Sequence, residues 1–165
     1  MASPFSAPVA VPPAAAAHSR FVQRVRRRHG DELALLPAGL PDAATISALV
    51  ARAQAEGRTL SAALRLARQL VLERLAVLDI EQGASLQDVT ATMTALAEAT
   101  LEIALAQALR DTDVRHGAPL DAAGQRIEFW IVGMGKLGAR ELNVSSDIDL
   151  VYVYEESGQI GRAHV

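Results

Sequence analysis

Residues 133–150 read Gly-Met-Gly-Lys-Leu-Gly-Ala-Arg-Glu-Leu-Asn-Val-Ser-Ser-Asp-Ile-Asp-Leu, and this stretch decides the fold. Just ahead of it, Ile127, Phe129, Trp130, Ile131 and Val132 have the β-branched, aromatic and aliphatic character of a strand, and glycines follow at once. Residues 148–154 are apolar on both alternating faces apart from Asp149, the pattern of a strand inside a sheet covered on both sides. Between these strands only residues 136–143 can be helical, and a helix of about two turns must be held by its surroundings.

The same residues carry the chemistry. Side chains in a strand alternate with a period of two, so Asp147 and Asp149 are predicted to project together, away from Ile148 and Leu150. Two unpaired carboxylates in a buried setting cost several kcal/mol by typical estimates, which calls for a positive partner. Magnesium (Mg2+) suits them, because it takes hard oxygen ligands from one or two carboxylates together with water and substrate phosphates. Two such ions about 3.5–4 Å apart can stabilise both the attacking and the leaving oxygen of a nucleotidyl displacement. Gly133, Gly135 and Gly138 let the backbone approach a polyphosphate, whose charge suits exposed N–H groups. Lys136 adds a point charge, and Ser145 or Ser146 a hydroxyl donor. Each has a plainer reading as well: a tight strand-to-helix turn, a solvated lysine, turn and cap serines.

Outward from this stretch the chain is helical. Asp42 is a candidate N-cap for a helix with Ile46, Leu49, Val50 and Ala53 at helical spacing, ended by Gly57. A second helix is predicted over residues 59–78. A third, over residues 85–110, opens on a capping-box-like Ser85 and Asp88. Residues 111–124 have the Asp, Gly and Pro content of a surface loop. The reading is therefore α+β: a leader over residues 1–30, a helical region over 31–125, and the start of a second domain over 126–159. The leader holds Pro4, Pro8, Pro12 and Pro13 and is expected to be disordered, although its Ala, Ser and Arg content also resembles a transit peptide.

Charge and composition exclude several classes. There are 16 Lys and Arg against 19 Asp and Glu, and five of the arginines precede Asp31, so no basic face is left for nucleic acid. The apolar runs read as too short to cross a membrane. The absence of cysteine excludes disulfides and thiolate chemistry, and a cytoplasmic location is expected. His18, His29 and His116 fall in polar or loop-like segments without ligand spacing.

The run GMGKLGARELNVSSDIDL closely resembles a signature of the bacterial glutamine synthetase adenylyltransferases, bifunctional enzymes that add and remove AMP. The portion DIEQGASLQDVTATMTALAEATL, within residues 65–105, resembles that family's helical region. The resemblance implies a nucleotidyltransferase fold of the DNA polymerase β type, and ELNVSSDIDL resembles the N-terminal, adenylyl-removing copy of its two catalytic domains. It implies that Asp147 and Asp149 hold the metal, and that the Gly133–Gly138 turn with Ser146 lines the nucleotide site. It further implies glutamine synthetase and the PII signalling protein as partners, ATP or ADP and phosphate as substrates, and a role in nitrogen regulation. Ala139 stands where a further glycine is frequent. A third carboxylate is expected from a later strand, which would leave the present chain an inactive fragment. Residues 160–165, Ile-Gly-Arg-Ala-His-Val, match one translation of a sequencing-library adapter and are expected to be non-native.

Two rival readings remain open at this level. Gly133, Gly135 and Gly138 spell G-x-G-x-x-G after a strand, with Glu155 near the end of the next, as in a dinucleotide-binding domain. Alternatively, the helices are an interaction module beside a non-catalytic remnant. A P-loop is excluded, because Trp130 stands where its first glycine belongs and Leu137 where it needs Ser or Thr.

Overall fold

The computed structural model describes residues 15–155 and 159–160; the expectations for residues 1–14 and 161–165 lie outside this range. Among the described residues, five α-helices and two small antiparallel sheets make the fold α+β. The helices are α1 (Arg20–His29), α2 (Ala43–Ala55), α3 (Leu60–Gln82), α4 (Leu86–His116) and the single-turn α5 (Gly135–Gly138). The strands are β1 (Pro119–Leu120), β2 (Phe129–Gly133), β3 (Leu150–Tyr154) and β4 (Gln159–Ile160), with β1 paired to β4 and β2 to β3.

Helix starts follow the local chemistry of the sequence. Asp42, Thr59 and Ser85 cap α2, α3 and α4 by accepting from backbone N–H groups at Thr45, Ala62 and Asp88. Hydrogen bonding to Thr45 holds the Asp42 carboxyl below its ordinary pKa. Ser85 and Asp88 complete a reciprocal capping box, with Ser85 N–H donating to Asp88 Oδ2 at 3.3 Å. Ser85→Ala is expected to cost about 1 kcal/mol, read as a lower midpoint in urea unfolding of the chain. No change would mean that tertiary packing alone sets the start of α4.

The ends of α3 and α4 lie further on than predicted. The last turn of α3 runs to Gln82 and closes on Gly83, whose φ of 67° permits the Ala84 N–H to return to Leu78 O at 2.9 Å. Residues 111–116, predicted as loop, continue α4. There Gln107 donates to Asp111 at 2.7 Å, and Arg126 grips Asp113 from across the following turn at 2.6 and 3.2 Å. By length and composition alone α4 is long and apolar enough to cross a membrane, although Glu98 and Glu102 keep its uninterrupted apolar runs short. Its Val89, Met93, Leu96 and Ala99 are nevertheless buried within the described protein, and α4 packs on α2 and α3.

The expected disordered leader is corrected over residues 15–30, which form a 3-10 turn and α1. Val22, Val25 and His29 recur at helical spacing and are buried, while Arg20, Arg24, Arg27 and Arg28 face outward. Arg26 Nε donates to Glu73 Oε1 at 2.7 Å, giving the buried carboxylate of α3 its charge partner. His29 is also not a loop histidine: its Nδ1 lies 2.6 Å from Glu32, whose other oxygen accepts from Arg58.

The core is one cluster centred on α2, α3 and α4, where Ile46, Val50, Leu70, Val71 and Leu75 are fully enclosed. Leu137 of α5 and Leu142 belong to the same cluster. Each buried leucine is worth about 2 kcal/mol, so the glycine-rich stretch is fastened to the helical layer by apolar burial.

Candidate functional site

β2 and β3 run antiparallel, with Gly133 opposite Leu150, and the ladder continues as Met134 N–H donates to Asp149 O at 2.9 Å. This register sets the Gly133–Gly138 turn and the 147–149 segment at the same end of the sheet. It also removes the dinucleotide-binding alternative, because that motif requires the two strands to be parallel and joined by a crossover helix.

The turn itself is tight. Gly135 has a φ of +53°, in the left-handed region that favours glycine. A Cβ on Gly138 would lie 2.5 Å from the carbonyl oxygen of Gly133, and one on Gly133 would meet Leu137 Cγ at 2.7 Å. The glycines therefore let a helical turn fold back onto the strand that leads into it. The helix predicted over 136–143 is shortened to Gly135–Gly138, because Arg140 adopts a φ of 60° and ends it, with Glu141 N–H donating to Lys136 O at 2.8 Å. Arg140 then reaches α4, where Glu98 accepts at 3.0 and 3.1 Å. Nothing local in the sequence marks this pair, since its members lie 42 residues apart.

β3 begins at Leu150, so the predicted strand start at residue 148 is corrected: Asp147 precedes the strand, and only the backbone of Asp149 extends its ladder. Both aspartates are exposed, and neither side chain has a hydrogen bond or ion pair among the described residues. The burial penalty argued from the sequence is accordingly absent here. The expected double cover is also absent among the described residues: Val151, Tyr152, Val153 and Tyr154 are exposed, with Phe129 and Tyr152 stacked at 5.8 Å between ring centroids. Lys136 and Ser145 are exposed, whereas Ser146 is half-buried and its hydroxyl donates to Asn143 Oδ1.

As a metal site, the described residues offer two carboxylates and no cluster of three or more acidic, histidine or cysteine ligands. Two exposed carboxylates without an ion pair among the described residues suit a divalent cation that keeps waters and substrate phosphates as its remaining ligands.

The glycine-rich turn and the segment carrying Asp147 and Asp149 thus meet at one end of a sheet in an α+β fold. The model of the glutamate-ammonia ligase adenylyltransferase family matches residues 11–164, and the chain belongs to that family. It is 41% identical over 157 residues to the bifunctional glutamine synthetase adenylyltransferase/adenylyl-removing enzyme of Aromatoleum aromaticum, a match covering 90% of this chain and 17% of the relative. The enzyme of the same name from Ralstonia nicotianae is 41% identical over 166 residues, covering 95% of this chain and 17% of the relative. That from Burkholderia mallei is 46% identical over 100 residues, covering 61% and 11%. The chain thus spans 17% of the length of the first two relatives.

Proposed function

We propose that the chain contributes to the adenylyl-removing site of a nucleotidyltransferase acting in the cytoplasm on glutamine synthetase. In this reaction an oxygen of inorganic phosphate attacks the phosphorus of the AMP group on a tyrosine. The bond from phosphorus to the tyrosyl oxygen breaks, that oxygen takes a proton, and the products are ADP and the unmodified tyrosine. The opposing modification, transfer of AMP from ATP to the tyrosine with release of pyrophosphate, control by the PII signalling protein and a role in nitrogen regulation accompany this reading.

Asp147 and Asp149 would hold Mg2+, which when bound supplies positive charge to the phosphoryl oxygens. The Gly133–Gly138 turn brings backbone close to the nucleotide phosphates, with Lys136 as a nearby point charge and Ser145 as a hydroxyl donor; Ser146 would join them only by giving up its bond to Asn143. What supports the reading is the register of β2 and β3, which draws the acidic segment and the glycine turn to one end of the sheet.

The complete gene product, given adenylylated glutamine synthetase, Mg2+ and phosphate, is expected to release ADP in proportion to the tyrosine unmasked. Release of AMP instead, at a rate independent of phosphate, would replace phosphorolysis by hydrolysis. Failure to unmask tyrosine under any of these conditions would overturn the assignment.

A further inference from the structure

A cleft of about 240 Å3 opens between the helical layer and the segment bearing the carboxylates. Arg68 of α3, with Met93 and Leu96 of α4, faces Leu142, Val144 and Asp147 across it. We propose that this cleft receives the aromatic ring of the nucleotidylated side chain, with Arg68 directed at its phosphodiester. The proposal rests on the reaction proposed above and assigns α3 and α4 a part in it.

Size is the first argument. At about 240 Å3 the cleft has ample room for one aromatic ring. The second argument is the state of its polar atoms. Ser146 Oγ already donates to Asn143, and Thr100 Oγ1, also on the wall, donates to Leu96 O and Ala97 O at 2.7 and 3.1 Å. A purine lodged here would find few free partners for its ring nitrogens and lose the hydrogen bonds they make in water. A phenyl ring needs only apolar walls, and the Met93 thioether is a favourable neighbour for it.

Charge supplies the third argument. Arg68 and Asp147 are the ionisable groups on the cleft wall, and Arg68 makes no ion pair or side-chain hydrogen bond among the described residues. A guanidinium so placed offers a planar fork of donors to the phosphodiester oxygens. An aryl ester of AMP matches this layout, with its ring against the apolar wall and its single negative charge beside the arginine.

The test uses the complete gene product with adenylylated glutamine synthetase and ADP as separate probes. Loss of one charge-assisted contact predicts that Arg68→Gln raises KM for the adenylylated protein about tenfold, leaving KM for phosphate unchanged and with Arg68→Lys recovering part of the loss. Val144→Trp, which fills the cleft from the exposed turn, is expected to raise the same KM while ADP affinity stays at the wild-type value. A fall in ADP affinity in Val144→Trp would put the base in the cleft and overturn the proposal. Equally decisive would be unchanged KM in both Arg68→Gln and Val144→Trp while the wild type carries out phosphorolysis, a result that leaves the function standing. If Val144→Trp instead lowers the unfolding midpoint and Arg68→Gln has no effect, another segment of the polypeptide occupies the cleft and the proposal fails. Absence of phosphorolysis in the wild type removes the function and the cleft's occupant together.

Discussion

Asp147→Asn and Asp149→Asn, each made in the complete gene product, are expected to cut phosphate-dependent ADP release about a thousandfold. A bound divalent ion contributes several kcal/mol of transition-state charge stabilisation, and about 4 kcal/mol corresponds to that factor. The amide keeps the shape of the side chain but removes the charge that grips a hard cation. Folding should be nearly indifferent, because both side chains are exposed and unpaired among the described residues. The ladder bond at Asp149 uses its backbone carbonyl, so it survives the substitution. Stability is therefore expected to stay within about 0.5 kcal/mol of wild type in denaturant titrations. Catalysis within tenfold of wild type in both variants would strip these carboxylates of the metal role, whatever the rest of the protein does.

The contrast between what the sequence disclosed and what it hid follows the range of the interactions. The caps at Asp42 and Ser85 were legible because each acts on a backbone group three residues away. Helix α1 was hidden because its neighbourhood is crowded with prolines and arginines. The Val22 and Val25 stripe is stabilised only once α3 supplies a core and Glu73 meets Arg26, 47 residues off. The site shows the same division. Spacing alone brought the glycines and aspartates into one hypothesis, but it left open whether their strands ran parallel, and the G-x-G-x-x-G pattern favoured the wrong direction. Antiparallel pairing decides that question. Arg68 carried no signal at all, since its claim to the site depends on how α3 docks rather than on its neighbours in sequence. Exposure of the aspartates also differs from expectation, because the apolar residues flanking them in β3 lack cover among the described residues.

Substitution of the three glycines by alanine separates their packing role from any contact with phosphate. Gly138→Ala is expected to destabilise the turn most, by about 3 kcal/mol, since overpacking against atoms that cannot yield sits at the upper end of its usual range. The added carbon would lie 2.5 Å from the Gly133 carbonyl oxygen, and relief requires α5 to lift away from β2. That motion also drags Leu137, which is 6% exposed, out of the helical core. Gly133→Ala should cost less, because its obstacle is the side chain of Leu137 at 2.7 and 2.8 Å, which has some freedom to change rotamer. Gly135→Ala meets nothing within 4 Å and carries only the strain of its φ of +53°. Such a left-handed residue costs about 1–2 kcal/mol. Hydrogen exchange at the amides of Gly138, Ala139 and Glu141, which close the turn onto Met134, Gly135 and Lys136, reads this order directly. Protection should fall furthest in Gly138→Ala and least in Gly135→Ala. Equal protection in all three, with ADP affinity alone reduced, would mean that the glycines are there for the phosphates and that the close approach of α5 to β2 is incidental.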